Sequence, residues 1–560
     1  MTELVEKLFT QNWNYKNRQE VIKRLQKNHY DIIVIGAGIT GAGVAREASM
    51  RNLKVAVVDK QDFAAGTSSR SSKLAHGGIR YLGLGEMDLV RESTTERNWM
   101  RVHIPHLVRP IPFLFIALKG GKYKKRDIIG ACRIYDFLGN DKSDFKNYKN
   151  HSWYLPEEIF KMEPEFIREG NIGGAVYYDN NVDDARLTIE TLKEAIVRGA
   201  DVVNYCKVIG YIKDNAKILG VKCTDLENES DFEIKGTLVI NATGIWTDEL
   251  LETYPEHIPK PLIRPTKGVH LQFKREHVKN NMATIIRSIH DDRAFFVLPR
   301  NDNFTIIGTT DTDYKANLEN PFCNKDDADY LLKSVKHYFP NAELEYDNIL
   351  STYAGIRPLV MQKGKSESEI SRKHIIFFSN DGLLTITGGK LTAFRSMAED
   401  LFKKIEEKEI FPAIARKDNF SKQKYLISLD KHEWLEILKN SDIQLDEDIT
   451  EHIYQQYGKG TLKILEIIKE NETLKEKILK ENYFIKAEIV YCLRYEMTQH
   501  LMDLFCRRTE MSLWIGHKNA IKAAEIVADI MAREYDWNEE KKKQEINAYI
   551  EYVKKTVSFI

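Results

Sequence analysis

Residues Asp31 to Asp59 read DIIVIGAGITGAGVAREASMRNLKVAVVD, and the order of features in this stretch decides the fold. Ile32 to Ile35 form a continuous apolar run, the pattern of a strand covered on both faces of a parallel sheet. Gly36, Gly38 and Gly41 follow at G-x-G-x-x-G spacing. The first permits a tight turn out of the strand, the second lets a pyrophosphate reach the backbone, and the third lets the next helix lie close to the sheet. That helix, expected over roughly Thr40 to Met50, aims its free N–H groups and positive dipole end at the phosphates. A second apolar strand, Val55 to Val58, ends in Asp59, whose carboxylate can accept from ribose hydroxyls. A glycine triplet alone is weak. Strand, helix, second strand and terminal acid in this order define a dinucleotide site.

Composition narrows the class. A chain of 560 residues is too long for one core, so two or three domains are expected. Lys plus Arg and Asp plus Glu both total 83; with no net charge there is no general pull toward nucleic acid, and any electropositive site must be local. Cys132, Cys206, Cys223, Cys323, Cys492 and Cys506 form no C-x-x-C pair and no zinc-ligand spacing. No metal is therefore expected, and scattered thiols suit a reducing, cytoplasmic interior. The N-terminal stretch MTELVEKLFTQNWNYKNRQEVIKRLQ has no apolar h-region and reads as a polar amphipathic helix rather than a signal peptide. The longest strongly apolar run, Pro110 to Leu118, is far short of the ~20 residues a spanning helix needs.

Beyond Asp59, QDFAAGTSSRSSKLAHGGIRYL is rich in glycine and hydroxyl residues and is expected to be loop. Its Thr67, Ser68 and Ser69 can add hydroxyl and N–H donors to the phosphates. Glu86 to Arg101 has a helical pattern. Pro105, Pro110 and Pro112 then interrupt the chain around the apolar segment, and Lys119, Lys122, Lys124, Lys125 and Arg126 follow. Two readings stand for this region: a buried segment with a solvated turn, or an apolar wedge that dips into an anionic membrane surface. Asp183 to Arg198 is helical with an acidic start, where Asp183 and Asp184 read as capping residues. Thr237 to Ile240 is a strand running into a small-residue turn at Asn241 to Trp246, with Gly244 at its centre. Leu383 to Thr387 likewise runs into Gly388, Gly389 and Lys390, with a helix starting at Leu391 and Thr392. Both turns can return the backbone to one extended cofactor. Between them GVHLQF, RAFFVLPR and FTIIGTTD alternate as antiparallel strands, and beyond about residue 410 the chain is helical in pattern.

The segments GAGITGAGVA, GTSSRSSKLAHGGIRYL, VDDARL, NATGIW, TKGVH, IIGTTD, AGIRPL and GGKLTAFR occur in this order. Together they resemble the FAD-dependent glycerol-3-phosphate dehydrogenases of the D-amino-acid-oxidase-like flavoproteins. The resemblance implies an α/β fold: a doubly wound FAD-binding domain (28–100, 165–255 and 350–405), an antiparallel substrate domain (101–164 and 256–349) and an all-helical C-terminal cap (406–560). It implies FAD as cofactor, with oxidation of sn-glycerol 3-phosphate to dihydroxyacetone phosphate by hydride transfer to flavin N5. It also implies a membrane quinone as acceptor, a cytoplasmic protein held peripherally on the inner face of the cell membrane, and a homodimer. A sister group passes electrons to oxygen and carries an insertion before its C-terminal region. No such insertion is visible here, which favours the dehydrogenase.

Such a reaction needs a cationic cradle for a phosphate near −2 and an acceptor for the C2 hydroxyl proton. Arg suits the phosphate because its planar fork makes bidentate charge-assisted bonds. By resemblance Arg80 with Tyr81, Arg357, Arg372 and Lys390 line the substrate pocket. Arg357 stands between Gly355-Ile356 and Pro358 in an apolar setting, where a surface salt bridge is a poor explanation. For the base, histidine titrates near the working pH. His270, in the family's KG-x-H motif, and His76, in HGGIRY, are the two candidates, while Arg357 could instead stabilise a developing alkoxide. An oxidase producing peroxide and a flavin-binding protein without turnover remain as alternatives. Retention of Arg80, Arg357, Lys390 and His270 together argues against the second, since a scaffold has no use for such a pocket. An amine oxidase would need a carboxylate site in place of the phosphate cradle.

Overall fold

Strand His29–Ile35 carries the apolar run into the centre of an eight-stranded sheet, its four residues Ile32 to Ile35 buried on both faces. The computed structural model describes the chain except residues 1, 12, 142–143, 216, 253–260, 302, 363, 365–369 and 412–419. The strand order is His374–Phe378, Leu384–Gly388, Ser230–Asn241, His29–Ile35, Val55–Val58 and Asp201–Val203. All but the first of these run parallel, and the apolar runs Ile32 to Ile35 and Val55 to Val58 suit strands covered on both faces. Cys206–Asp214 and Lys217–Asp225 extend Ser230–Asn241 in antiparallel fashion. Helices Ile39–Met50, Asp184–Val197 and Phe394–Glu407 pack side by side on this unit. Asp183 caps the second of them, its carboxylate accepting from the Arg186 N–H.

A ten-stranded second sheet is built mainly from the alternating segments. Its spine is Ile263–Lys274, paired on one side with Phe304–Gly308 and on the other with Ile349–Val360. Alternation decides what each face meets. Val269, Leu271 and Phe273 enter a core with Leu331 and Val335 of helix Lys325–Tyr338. His270 and Gln272 therefore face the opposite way, toward the C-terminal helices and the cofactor unit.

The pairing moves two segments across the domain boundaries read from sequence. Asn171–Asn181 and Ile349–Val360 are strands of the second sheet, whereas the sequence places 165–255 and 350–405 in the cofactor unit. Each is held along its length by a partner far away in sequence, which no local motif announces. The boundary at 255/256 lies outside the described residues. The second sheet is also not wholly antiparallel, since Ala283–Arg287 pairs in parallel with Arg109–Leu118.

That last strand settles the apolar run Pro110 to Leu118. It lies inside the sheet, with Phe113, Leu114 and Ala117 at most 1% exposed, so it forms no membrane wedge. Pro110 and Pro112 are accommodated where the strand has a neighbour on one side only, so their missing N–H groups cost no ladder bond. No helix among the described residues is long and apolar enough to cross a membrane.

Beyond residue 430 the chain is helical, from Lys431–Lys439 to Glu539–Thr556. This region is locked to the cofactor unit by buried charge. Asp62 accepts from Arg507 Nε at 2.6 Å and from both terminal nitrogens of Arg508 at 2.8 and 2.9 Å. Arg507 also meets Asp503 at 2.7 Å. Alongside, Arg186 and Lys193 of helix Asp184–Val197 pair with Glu190 and Glu496.

Candidate active site

The cofactor half of the site is a cleft of about 300 Å³ across the carboxyl ends of the parallel strands. Its lining runs from Asp59 and Cys206–Val208, past Gly36, Gly38 and Gly244, to Gly389, Lys390 and Leu391. From Asp201–Val203 to Leu384–Gly388 there are four strand spacings, about 19 Å at ~4.8 Å each, the reach of an extended dinucleotide. Gly36 makes the turn with φ +103°, and an added Cβ would meet the Ala242 carbonyl oxygen at 2.7 Å. Gly38 faces the cleft, and a Cβ there would meet only Ser68 Oγ, at 3.1 Å. Asp59 accepts from Ala37 N–H at 2.6 Å and Gln61 N–H at 2.9 Å, which ties the loop to the end of Val55–Val58. Burial pushes its carboxyl up to about 6, the two N–H groups opposing the shift.

The sequence-read cofactor residues divide by role. Thr67 and Ser68 line the cleft, and Ser68 Oγ accepts from the Ile39 N–H at the helix start. Gly41 lies outside it as a packing glycine, since a Cβ would fall 1.8 Å from the Gly36 carbonyl oxygen. Ser69 also lies outside, its carbonyl accepting from Lys73 Nζ. Thr392 is a brace, its hydroxyl bonded to both the N–H and the carbonyl of His76 at 3.2 Å. Sequence reasoning missed Trp246 as a lining group, and its buried indole N–H has no partner among the described residues. That orphan donor, the helix N-terminus and the Asp59 carboxylate together fit a bound dinucleotide.

Past Leu391 the site becomes cationic. Lys390 Nζ stands 4.0 Å from the centre of the Tyr81 ring, and Arg80 Nη2 donates to Tyr81 Oη at 3.2 Å. Arg357 reaches over Gly268, bonding Asp311 at 2.9 Å and Thr309 Oγ1 at 2.9 Å. Arg372 approaches the other oxygen of Asp311 at 3.4 Å, while its Nη1 is buried without a partner among the described residues. Burial would raise Asp311, but Arg357, Arg372 and Arg80 outweigh it and hold the carboxyl below its ordinary value. Burial also works to raise the Tyr81 phenol, yet Arg80, Lys390 and Arg372 bring it down to about 7. For His76 burial and the charges of Lys390 and Arg80 act together, keeping the ring neutral well below the usual histidine range. Among the described residues, four cations thus meet a single paired carboxylate, with an unused guanidinium donor. The pocket is built for an anion.

His270 lies on the same sheet face as Arg357 but is enclosed. Its ring stacks on Tyr353 with centroids 4.6 Å apart, Nε2 lies 2.9 Å from Ser72 Oγ, and Nδ1 has no partner among the described residues. Burial first, then Arg357 and Lys73, lower its pKa well below the ordinary value. Lys267, three residues earlier, points to the other face and pairs with Asp327 at 2.6 Å. Asp311 and Ser72, like Trp246, are site residues that sequence reasoning missed. Asp311 closes the quoted motif IIGTTD, and that position was the signal available.

The comparisons agree with this geometry. Residues 31–395 match the FAD dependent oxidoreductase family, and 411–542 match the C-terminal domain of alpha-glycerophosphate oxidase. Fold and site therefore define an FAD-dependent oxidoreductase. The aerobic glycerol-3-phosphate dehydrogenase of Bacillus subtilis (strain 168) is 36% identical over 542 residues, covering 94% of this chain and 95% of that protein. Its counterpart in Staphylococcus aureus (strain USA300) is 34% identical, with 96% of each covered. The chain belongs to the family of FAD-dependent glycerol-3-phosphate dehydrogenases and oxidases. Among solved structures, the glycerol-3-phosphate dehydrogenase from Bacillus halodurans complexed with FAD superposes with a TM-score of 0.80 at 28% identity, covering 98% of this chain and 99% of that one.

Proposed function

We propose that the protein oxidises sn-glycerol 3-phosphate to dihydroxyacetone phosphate, with a membrane quinone as electron acceptor. The observation that carries the substrate is the excess of cations at the end of the cofactor cleft: Arg80, Arg357, Arg372 and Lys390 against Asp311. The orphan Nη1 of Arg372 and the Lys390 ammonium give the phosphate charge-assisted donors. Arg357 orients the C2 oxygen and stabilises charge developing there, and His270 takes the hydroxyl proton. FAD, when bound, supplies the two-electron acceptor for the C2 hydride. Anaerobic titration tests the reading: glycerol 3-phosphate should bleach the bound flavin, and glycerol at the same concentration should not. Bleaching by both alike would remove the phosphate cradle from the account.

The acceptor has a second reading. The C-terminal match to alpha-glycerophosphate oxidase favours oxygen, whereas the curated relatives are named dehydrogenases. Sustained turnover in air with stoichiometric peroxide and no added acceptor would decide for the oxidase. Peripheral attachment to the inner face of the membrane must use a surface other than the buried strand. Helix Lys125–Asn140 offers one, exposing Arg126, Arg133, Ile134 and Phe137 beside Lys119, Lys122 and Lys124. Cosedimentation with anionic but not neutral vesicles, lost in Phe137→Glu, is the expected result. A homodimer is proposed as the assembly, to be read from light scattering.

A further inference from the structure

We propose that Ser72 is a proton relay, the residue through which His270 takes the C2 hydroxyl proton of the substrate. The inference rests on His270 being the base, as proposed above. His270 is 2% exposed. Tyr353 covers one ring face at an interplanar angle of 12°, and Gly308 lies against the ring so closely that an added Cβ would fall 2.4 Å from Cδ2. Nδ1 is buried without a partner. Ser72 Oγ, 2.9 Å from Nε2, is the one polar group in hydrogen-bond contact with the ring among the described residues. Ser72 itself is half-buried, next in sequence to Ser71, which lines the cofactor cleft.

Its position is fixed from both sides. Ser71 gives its N–H and its hydroxyl to Asp184 Oδ2 at 2.9 and 2.6 Å, and Tyr353 Oη donates to the Ser71 carbonyl at 2.8 Å. Lys73, with a left-handed φ of 54°, is paired to Asp184 at 2.7 Å and to Glu510 of the C-terminal region. The ring that stacks on His270 thus also holds the backbone beside Ser72. A hydroxyl held this way costs little reorganisation at the moment of transfer.

In the relay the C2–OH proton passes to Ser72 Oγ as the Ser72 hydroxyl proton passes to Nε2, His270 carrying its resting proton on Nδ1. The O–H electron pair becomes the second C2–O bond as the hydride leaves C2 for the flavin, the two-electron oxidant. The imidazolium then returns its surplus proton to solvent along the same path.

The holoenzyme variants Ser72→Ala, Ser72→Thr, His270→Gln and the double variant test this by anaerobic flavin bleaching and by ¹⁵N shifts of the His270 ring. With Ser72→Ala, bleaching should slow about 100-fold at saturating glycerol 3-phosphate while binding of inorganic phosphate and FAD content are unchanged. Ser72→Thr should restore the rate, and the double variant should be no slower than His270→Gln alone. The Nε2 shift of His270 should move in Ser72→Ala without any substrate present. Should the alanine variant lose FAD, Ser72→Cys keeps the volume with a weaker donor, and its rate should fall between. Wild-type bleaching in Ser72→Ala alongside a slow His270→Gln would overturn the relay and leave the base in place. Wild-type bleaching in His270→Gln would overturn the base, and the relay with it. Additive losses, or an unmoved Nε2 shift, would also overturn the relay.

Discussion

Two clusters of four cations lie within this molecule, and they are matched to opposite ends. At the C-terminal junction Arg186, Lys193, Arg507 and Arg508 face Asp62, Glu190, Glu496 and Asp503, charge for charge and fully buried. At the end of the cofactor cleft Arg80, Arg357, Arg372 and Lys390 have Asp311 as the single carboxylate in ion-pair contact among the described residues. The first set is complete and holds two parts of the chain together. The second is left in excess, so its missing charge must come from a ligand. Counting arginines would not separate the two, whereas counting their partners does.

Breaking the balanced cluster should have the largest effect. Asp62→Asn leaves the buried Arg508 guanidinium without its anion and Arg507 with Asp503 alone, and about 3–5 kcal/mol of stability should be lost. Thermal melting checks this, and whatever protein remains folded should keep its KM. At the cleft the opposite split is expected. Arg372→Met or Lys390→Met should remove one charge-assisted bond to phosphate, ~1.5–3 kcal/mol or roughly 10- to 150-fold in KM. Unphosphorylated glycerol should be little affected, and melting should hold or rise because like charges are relieved. A KM that stays put would mean the excess charge serves something other than the substrate.

A third test uses His500, which meets Glu545 at 2.8 Å and Glu227 at 3.1 Å and ties the C-terminal helix to the first sheet. Burial would lower it, but the two carboxylates raise it to about 10. A raised folded pKa stabilises fully below the unfolded value near 6.5 and is lost as pH climbs through about 10. His500→Gln should therefore cost roughly 1–2 kcal/mol at pH 6 and almost nothing above pH 10.5, read from paired melting curves. The smallest effect belongs to Tyr81. With its phenol near 7, deprotonation places a negative charge beside the phosphate, so the wild-type KM should rise severalfold between pH 6 and 8.5. Tyr81→Phe should flatten that slope, and a slope that survives would assign it to another group.

The cofactor half of the site is legible in the sequence because its code is local. Gly36, Gly38 and Gly41 each answer to backbone approach within a single strand-turn-helix, and Asp59 ends the next strand. The ion balance is not legible, because partners are brought together by pairing over long distances. Asp311 becomes the counter-ion of Arg357 and Arg372 from 46 and 61 positions away. Ser72 stands in a run with Ser68, Ser69 and Ser71, and only the sheet register that places His270 beside it sets it apart. The strands Asn171–Asn181 and Ile349–Val360 escaped for the same reason, being defined by remote neighbours rather than by their own pattern. His270 was found as a residue type in a motif, but its enclosure follows from Gly308 and Tyr353 on two other strands.

The junction also sets an order of manufacture. Asp62 belongs to the cofactor loop, yet the arginines that satisfy it lie 445 and 446 positions later. While the chain is being made, the dinucleotide unit can assemble its sheet and glycine turn, but the carboxylate beside them must stay in water until the last helices arrive. A chain ending before Arg507 should take up FAD weakly and lose it quickly, although every residue that touches the cofactor cleft is already present.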